Sequence, residues 1–119
     1  MKGDIVLVPL PNSDLGTWKR RPALVLYEDP IENETTIAYI SSHVPIVPAS
    51  SDVLIIRGSP SFDESGLKWN SVIKLNKIAT IKTHFIAGLL GTADDSLKAE
   101  VNKALDACLK LPTSLQNRI

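Results

Sequence analysis

Apolar residues fall in short runs broken by proline, glycine and polar clusters, and one stretch alone has helical spacing. Residues 4–9 (DIVLVP) and 22–28 (PALVLYE) are β-branched and leucine-rich runs bounded by polar residues and proline, which predicts two neighbouring strands. Residues 34–42 (ETTIAYISS) set Thr36, Ala38 and Ile40 on one face and Ile37 and Tyr39 on the other, the period of a third strand. A fourth is predicted over 52–58 (DVLIIRG), and 71–81 (SVIKLNKIATI) reads as one long or two short strands. Between the first two runs, LPNSDLGTWKRR carries Pro, Asn, Asp and Gly and exceeds what a tight hairpin needs. Loops of that length in a small domain tend to be functional.

The C-terminal stretch TADDSLKAEVNKALDACLKLP places Leu97, Val101, Ala104, Leu105, Cys108 and Leu109 on one stripe and predicts a helix. Thr92 and Asp95 have capping-box spacing, Asp94 and Asp95 suit the positive end of the helix dipole, and Pro112 stops the run. Cys108 lies on the stripe as a small core residue. Closely spaced strands followed by a terminal helix predict an α+β domain with a small, strongly curved sheet or barrel. Residues 1–111 make that single domain and 112–119 a short tail.

Composition narrows the function classes. Thirteen basic and thirteen acidic residues give a formal net charge of zero, so any binding to a polyanion must be local. Two cationic segments offer it: Lys19, Arg20 and Arg21 abut the second apolar run, and residues 65–93 hold Lys68, Lys74, Lys77, Lys82 and His84 with no Asp or Glu. The single cysteine cannot form an internal disulfide and nothing marks an oxidising compartment, so a cytoplasmic location is expected. The apolar run near the N-terminus is too short for a signal h-region or membrane span. His43 and His84 are isolated and no glycine-rich phosphate loop or nucleophile elbow occurs, so neither metal nor cofactor is expected.

Polar residues at strand ends carry the candidate chemistry. Arg21 precedes Pro22 and is biased toward extended backbone, which aims a planar, permanently charged guanidinium suited to gripping phosphate; pairing with a carboxylate at a barrel rim is the alternative. Ser41, Ser42 and His43 end the third strand; Lys74 and Asn76 lie two apart in the fifth and should share a face. Trp18 and Trp69 could stack on unpaired bases or pack in the domain.

In order and spacing, GDIVLVPLPNSDLGTWKRRPALVL, IAYISSH, SVIKLNKIATI and the helix over 93–110 resemble the PemK/MazF family of toxin endoribonucleases across almost the whole chain. The resemblance implies an SH3-like barrel of strongly bent antiparallel strands with a C-terminal helix, usually homodimeric. It also implies metal-independent, sequence-specific cleavage of single-stranded mRNA by 2′-hydroxyl attack, neutralised by a small antitoxin whose disordered tail occupies the RNA groove. The family's arginine of the Arg-Pro pair and its strand-end hydroxyl correspond to Arg21 and Ser41. Arg21 would stabilise charge on phosphorus, and Ser41 would orient the phosphate.

Many members carry an acid where Asn76 stands, and Asn76 cannot accept a proton. The resemblance implies a Glu or His in the loop before Arg-Pro instead, for which Asp14 and Lys19 are the nearest candidates; His43, two residues beyond Ser41, is the other acid or base candidate, an unperturbed imidazole having a pKa of about 6.5. Lys19, Arg20, Ser42, Lys74, Asn76 and Trp18 are the RNA-binding candidates. Asn76, and serine in place of the commoner threonine, leave open a weak or inactive barrel that binds RNA or protein.

Overall fold

The computed structural model of the chain describes residues 1–11 and 18–114, with backbone alone at 11 and 18. In chain order the elements are β1 (Asp4–Pro11), β2 (Trp18–Asp29), β3 (Glu34–Ser41), β4 (Asp52–Ile55), α1 (Pro60–Ser65), β5 (Ser71–Lys82), a 3-10 turn (Thr83–Phe85), β6 (Gly88–Thr92) and α2 (Asp95–Leu109). The strands make one antiparallel sheet in the order β4-β5-β3-β2-β1-β6.

β1 and β2 read as continuous apolar runs because both of their faces are covered. Ile5, Leu24, Ala38 and Ile40 face α2, whose Leu97, Val101 and Ala104 complete a core with Val53, Ile55, Ile73 and Leu75. On the opposite face Val6, Val8, Ala23, Val25 and Ile37 form a second cluster closed by Tyr39, Ile81 and Ile86. Such two-sided burial requires a sheet curled on itself, and the predicted barrel takes the form of an open half-barrel, with β4 and β6 as its two edges.

Backbone contact ties those edges together. α1 follows β4, yet its C-terminal end packs on β6 at the other edge. Gly66 ends α1 with φ +73°, which favours glycine, and a Cβ there would overlap the Leu90 carbonyl; a Cβ on Gly91 would overlap the Glu64 carbonyl. Ser61 Oγ donates to Asp94 Oδ1 at 2.8 Å, joining α1 to α2.

Several sequence expectations are corrected. Thr92 belongs to β6 and does not cap α2; Asp94 is the cap, its Oδ1 accepting the Leu97 N–H at 2.9 Å, because the chain leaves β6 only after Thr92. The Leu97 N–H, helped by Ser61, holds the Asp94 carboxyl below its ordinary pKa. The fourth strand ends at Ile55, since the Arg57 N–H is taken by Asn70 Oδ1 (2.7 Å). α1 and β6 were not expected. Leu109 is exposed at the end of the helical stripe, while Cys108 packs partly buried against the core as expected.

Candidate active site

The cleft forms where β2 and β3 part. Their ladder starts at Asp29/Glu34 and ends at Ala23/Tyr39; beyond it β2 continues against β1 (Pro22 with Leu7, Arg21 with Val8) and β3 against β5 (Ser41 with Val72). Pro22 accounts for the break. The Val25 carbonyl accepts from Gly3 N on the β1 side, so by alternation the backbone of Pro22 points toward β3. There proline has no N–H to donate, and the ladder loses a bond. The same register, carried two residues further, would set Arg21 opposite Ser41.

Arg21, Ser41, His43 and Lys74 border one cleft of about 540 Å³ together with Leu10, Tyr39, Ile40 and Lys77. The Ser41 Oγ accepts the His43 backbone N–H at 3.1 Å, which fixes its lone pair and leaves its own proton to be donated into the cleft. Arg21 is exposed on rigid strand, and no carboxylate pairs with it among the described residues. Lys74 differs: its Nζ lies 2.7 Å from Asp52 Oδ1, on a side chain only 3% exposed, and the Ala49 N–H donates to Oδ2 at 2.9 Å. Burial pushes the Asp52 pKa up, but contact with Lys74, the Ala49 N–H and the lysine charge outweigh it and hold the carboxyl below its ordinary value. Lys74 thus brings less net charge to the cleft than Arg21 or Lys77.

Lys19, Arg20 and Ser42 border a second cleft of about 340 Å³, which shares Arg21 and Ile40 with the first and includes Lys68 and Trp69. Asn76 does not keep the expected relation to Lys74. Between Ala38/Ile78 and Tyr39/Lys74 the β3–β5 ladder shifts register, and the bulge carries residues 75–77. Alternation fails across it, so Lys77 joins Lys74 at the cleft while exposed Asn76 borders neither. Asp14 and the Trp18 side chain lie outside the described residues. Lys77 and Asp52 were missed as site residues; the cationic segment hinted at the first, whereas the second needs the β4–β5 pairing.

Among the described residues no group of three or more His, Cys, Asp or Glu side chains is placed to hold a metal ion, and no helix is long and apolar enough to cross a membrane.

Comparisons with solved structures give the same architecture. The chain superposes on the Mycobacterium tuberculosis toxin MazF-mt6 with a TM-score of 0.70 at 21% identity, covering 92% of this chain and 99% of that one. For a MazE-MazF structure from Deinococcus radiodurans the values are 0.69 and 19%, over 92% and 95%. For an endoribonuclease in complex with its cognate antitoxin from a Mycobacterial species they are 0.69 and 16%, over 95% and 97%. At these identities the likeness shows the fold. No curated protein matches by sequence. A family model, however, matches residues 1–109, nearly the whole of the described chain, and on that match the protein belongs to the family of PemK-like, MazF-like toxins of type II toxin-antitoxin systems.

Proposed function

We propose that the protein is a metal-independent, sequence-specific endoribonuclease toxin that cleaves single-stranded RNA at the cleft between β2 and β3. Family membership supports the toxin role, and solved structures of the same fold are described as endoribonucleases. The observation that carries the reading is the convergence of Arg21 and Ser41, from strands that have just separated, on one open cleft with a cationic rim.

In this reaction the ribose 2′-oxygen loses its proton and bonds to the adjacent phosphorus, and the bond from phosphorus to the 5′-oxygen breaks. The products are a 2′,3′-cyclic phosphate and a 5′-hydroxyl, with no water or metal consumed. Arg21 stabilises the charge gathering on the phosphoryl oxygens, and Ser41 donates its hydroxyl proton to one of them. His43, two residues beyond and on the same rim, exchanges the proton at the 2′- or 5′-oxygen, and Asp14 is the other candidate for this step. Lys19, Arg20, Ser42, Lys77 and Trp18 hold the rest of the strand. The toxin works as a cytoplasmic homodimer and is silenced by a cognate antitoxin, a reading supported by the similar Mycobacterial endoribonuclease described in complex with its cognate antitoxin.

The test is incubation with a defined RNA plus chelator. The wild-type protein should leave cyclic-phosphate ends, and Arg21→Ala should cut about 10²–10³-fold more slowly while melting at nearly the wild-type temperature. Unimpaired cutting by that variant would remove Arg21 from the chemistry. The pairing of Lys74 with Asp52 favours one other reading, a barrel that retains RNA without cutting it, and binding with intact RNA would identify it.

A further inference from the structure

We propose that the second cleft is a seat for one unpaired base of the bound strand, with Trp69 as its stacking platform. RNA as the occupant rests on the endoribonuclease reading. Trp69 is a large apolar side chain left 66% exposed, yet its surroundings are fixed. Ser71 Oγ donates to the Trp69 carbonyl at 2.7 Å. The Arg57 guanidinium sits over the indole, 5.8 Å from its centroid, and 5.9 Å from that of Phe62. Arg57 is itself pinned, Nη2 donating to the Lys68 carbonyl at 2.9 Å and its backbone N–H to Asn70 Oδ1 at 2.7 Å. The indole is therefore backed by a held cation while most of the side chain stays exposed at the border of the second cleft, leaving ring surface for stacking.

Charge selects the occupant. The described lining carries Lys19, Arg20, Arg21 and Lys68 and no carboxylate, so a second copy of the chain placed symmetrically here would set cations against cations. A strand of RNA brings a phosphate for the cations and a flat apolar base for the ring, whereas an acidic peptide answers only the first. Arg21 and Ile40 border both clefts, so a strand with one phosphate on Arg21 continues directly into this one. A base seated on Trp69 adjoins the cut and contributes to the choice of cleavage sequence.

The experiment separates binding from chemistry by using 2′-O-methyl heptamers, which lack the attacking hydroxyl. Labelled homopolymers of each base and an abasic strand of equal length are titrated into wild-type protein, Trp69→Ala and Trp69→Phe. Wild type should bind at least one base-bearing heptamer about 5- to 150-fold tighter than the abasic strand, the range for loss of one base–aromatic stack. Trp69→Ala should lose that preference with abasic affinity unchanged, and Trp69→Phe should keep most of it. Equal binding of abasic and base-bearing strands by wild type, no binding of any heptamer, or an undiminished preference in Trp69→Ala would overturn the proposal. Cleavage of a long RNA is scored separately: no cutting with the base preference intact rejects the nuclease and keeps the seat, and cutting with no Trp69-dependent preference does the reverse.

Discussion

Replacing Lys74 with alanine should destabilise the protein in a way that depends on pH. Asp52 is shielded from solvent, and its Oδ1 faces Lys74 Nζ at 2.7 Å. Without the ammonium the carboxylate keeps only the Ala49 N–H, and the cost is that of a buried acid without its partner. Full burial would make this about 3–5 kcal/mol, but Asp52 lies under thin cover next to a partner whose side chain is 24% exposed, so about 1–3 kcal/mol applies. For a domain of this size that is a fall of roughly 4–12 °C in Tm at pH 7.

The sign follows from the direction of the shift. In the wild type the folded Asp52 pKa is depressed, so its stabilisation is present above the unfolded value of about 3.9 and fades as pH falls through the folded one. In the variant the burial that raises the pKa stands almost unopposed, so acidification relieves the strain. Thermal melts followed by circular dichroism at pH 7, 5, 4 and 3 should therefore show the gap between the two proteins narrowing below pH 5. Adding Asp52→Asn should recover most of the lost stability. A gap constant over this range, or a double variant as weak as the single one, would refute the account of Lys74 as the partner of a buried charge.

Other outcomes follow from the same geometry. Gly91→Ala would drive a methyl into the Glu64 and Ser65 backbone, which cannot yield as a side chain could, so a loss of about 1–3 kcal/mol is expected in denaturant titration, against near-neutrality for alanine at the open Gly88. Ser41→Ala should lower kcat/KM for RNA cleavage about 10- to 100-fold, the worth of one hydrogen bond to a charged group, with little change in Tm; an unchanged rate would leave Ser41 as no more than a cap on the His43 N–H.

Side-chain periodicity made much of this molecule legible. The runs behind β1, β2 and β3 and the stripe of α2 report burial directly, so those elements stand close to where the pattern puts them. β6 was invisible for a physical reason: GLLGT is five residues with two glycines, and of its two leucines only Leu90 packs on the core while Leu89 is exposed, so no apolar alternation marks it. Arg21 and Ser41 could be named from strand ends because each needs only its own strand. Asn76 could not be placed, since one bulge reverses the alternation on which its position was inferred, and Asp52 could not be found, since its role exists only through a partner in another strand.

The seam at Gly66 and Gly91 has a consequence for how far such a chain can change. The joint holding the two rims of the half-barrel together is built from atoms every residue possesses, and its one demand is that two positions carry no side chain at all. Phe62, Leu67 and Leu90 pack on the core beside it, so substitutions that keep those three apolar leave the contact between the two rims intact. Part of the shape is thereby insulated from spelling, and the chain, sharing about one residue in five with the M. tuberculosis toxin, overlays it along nearly its full length.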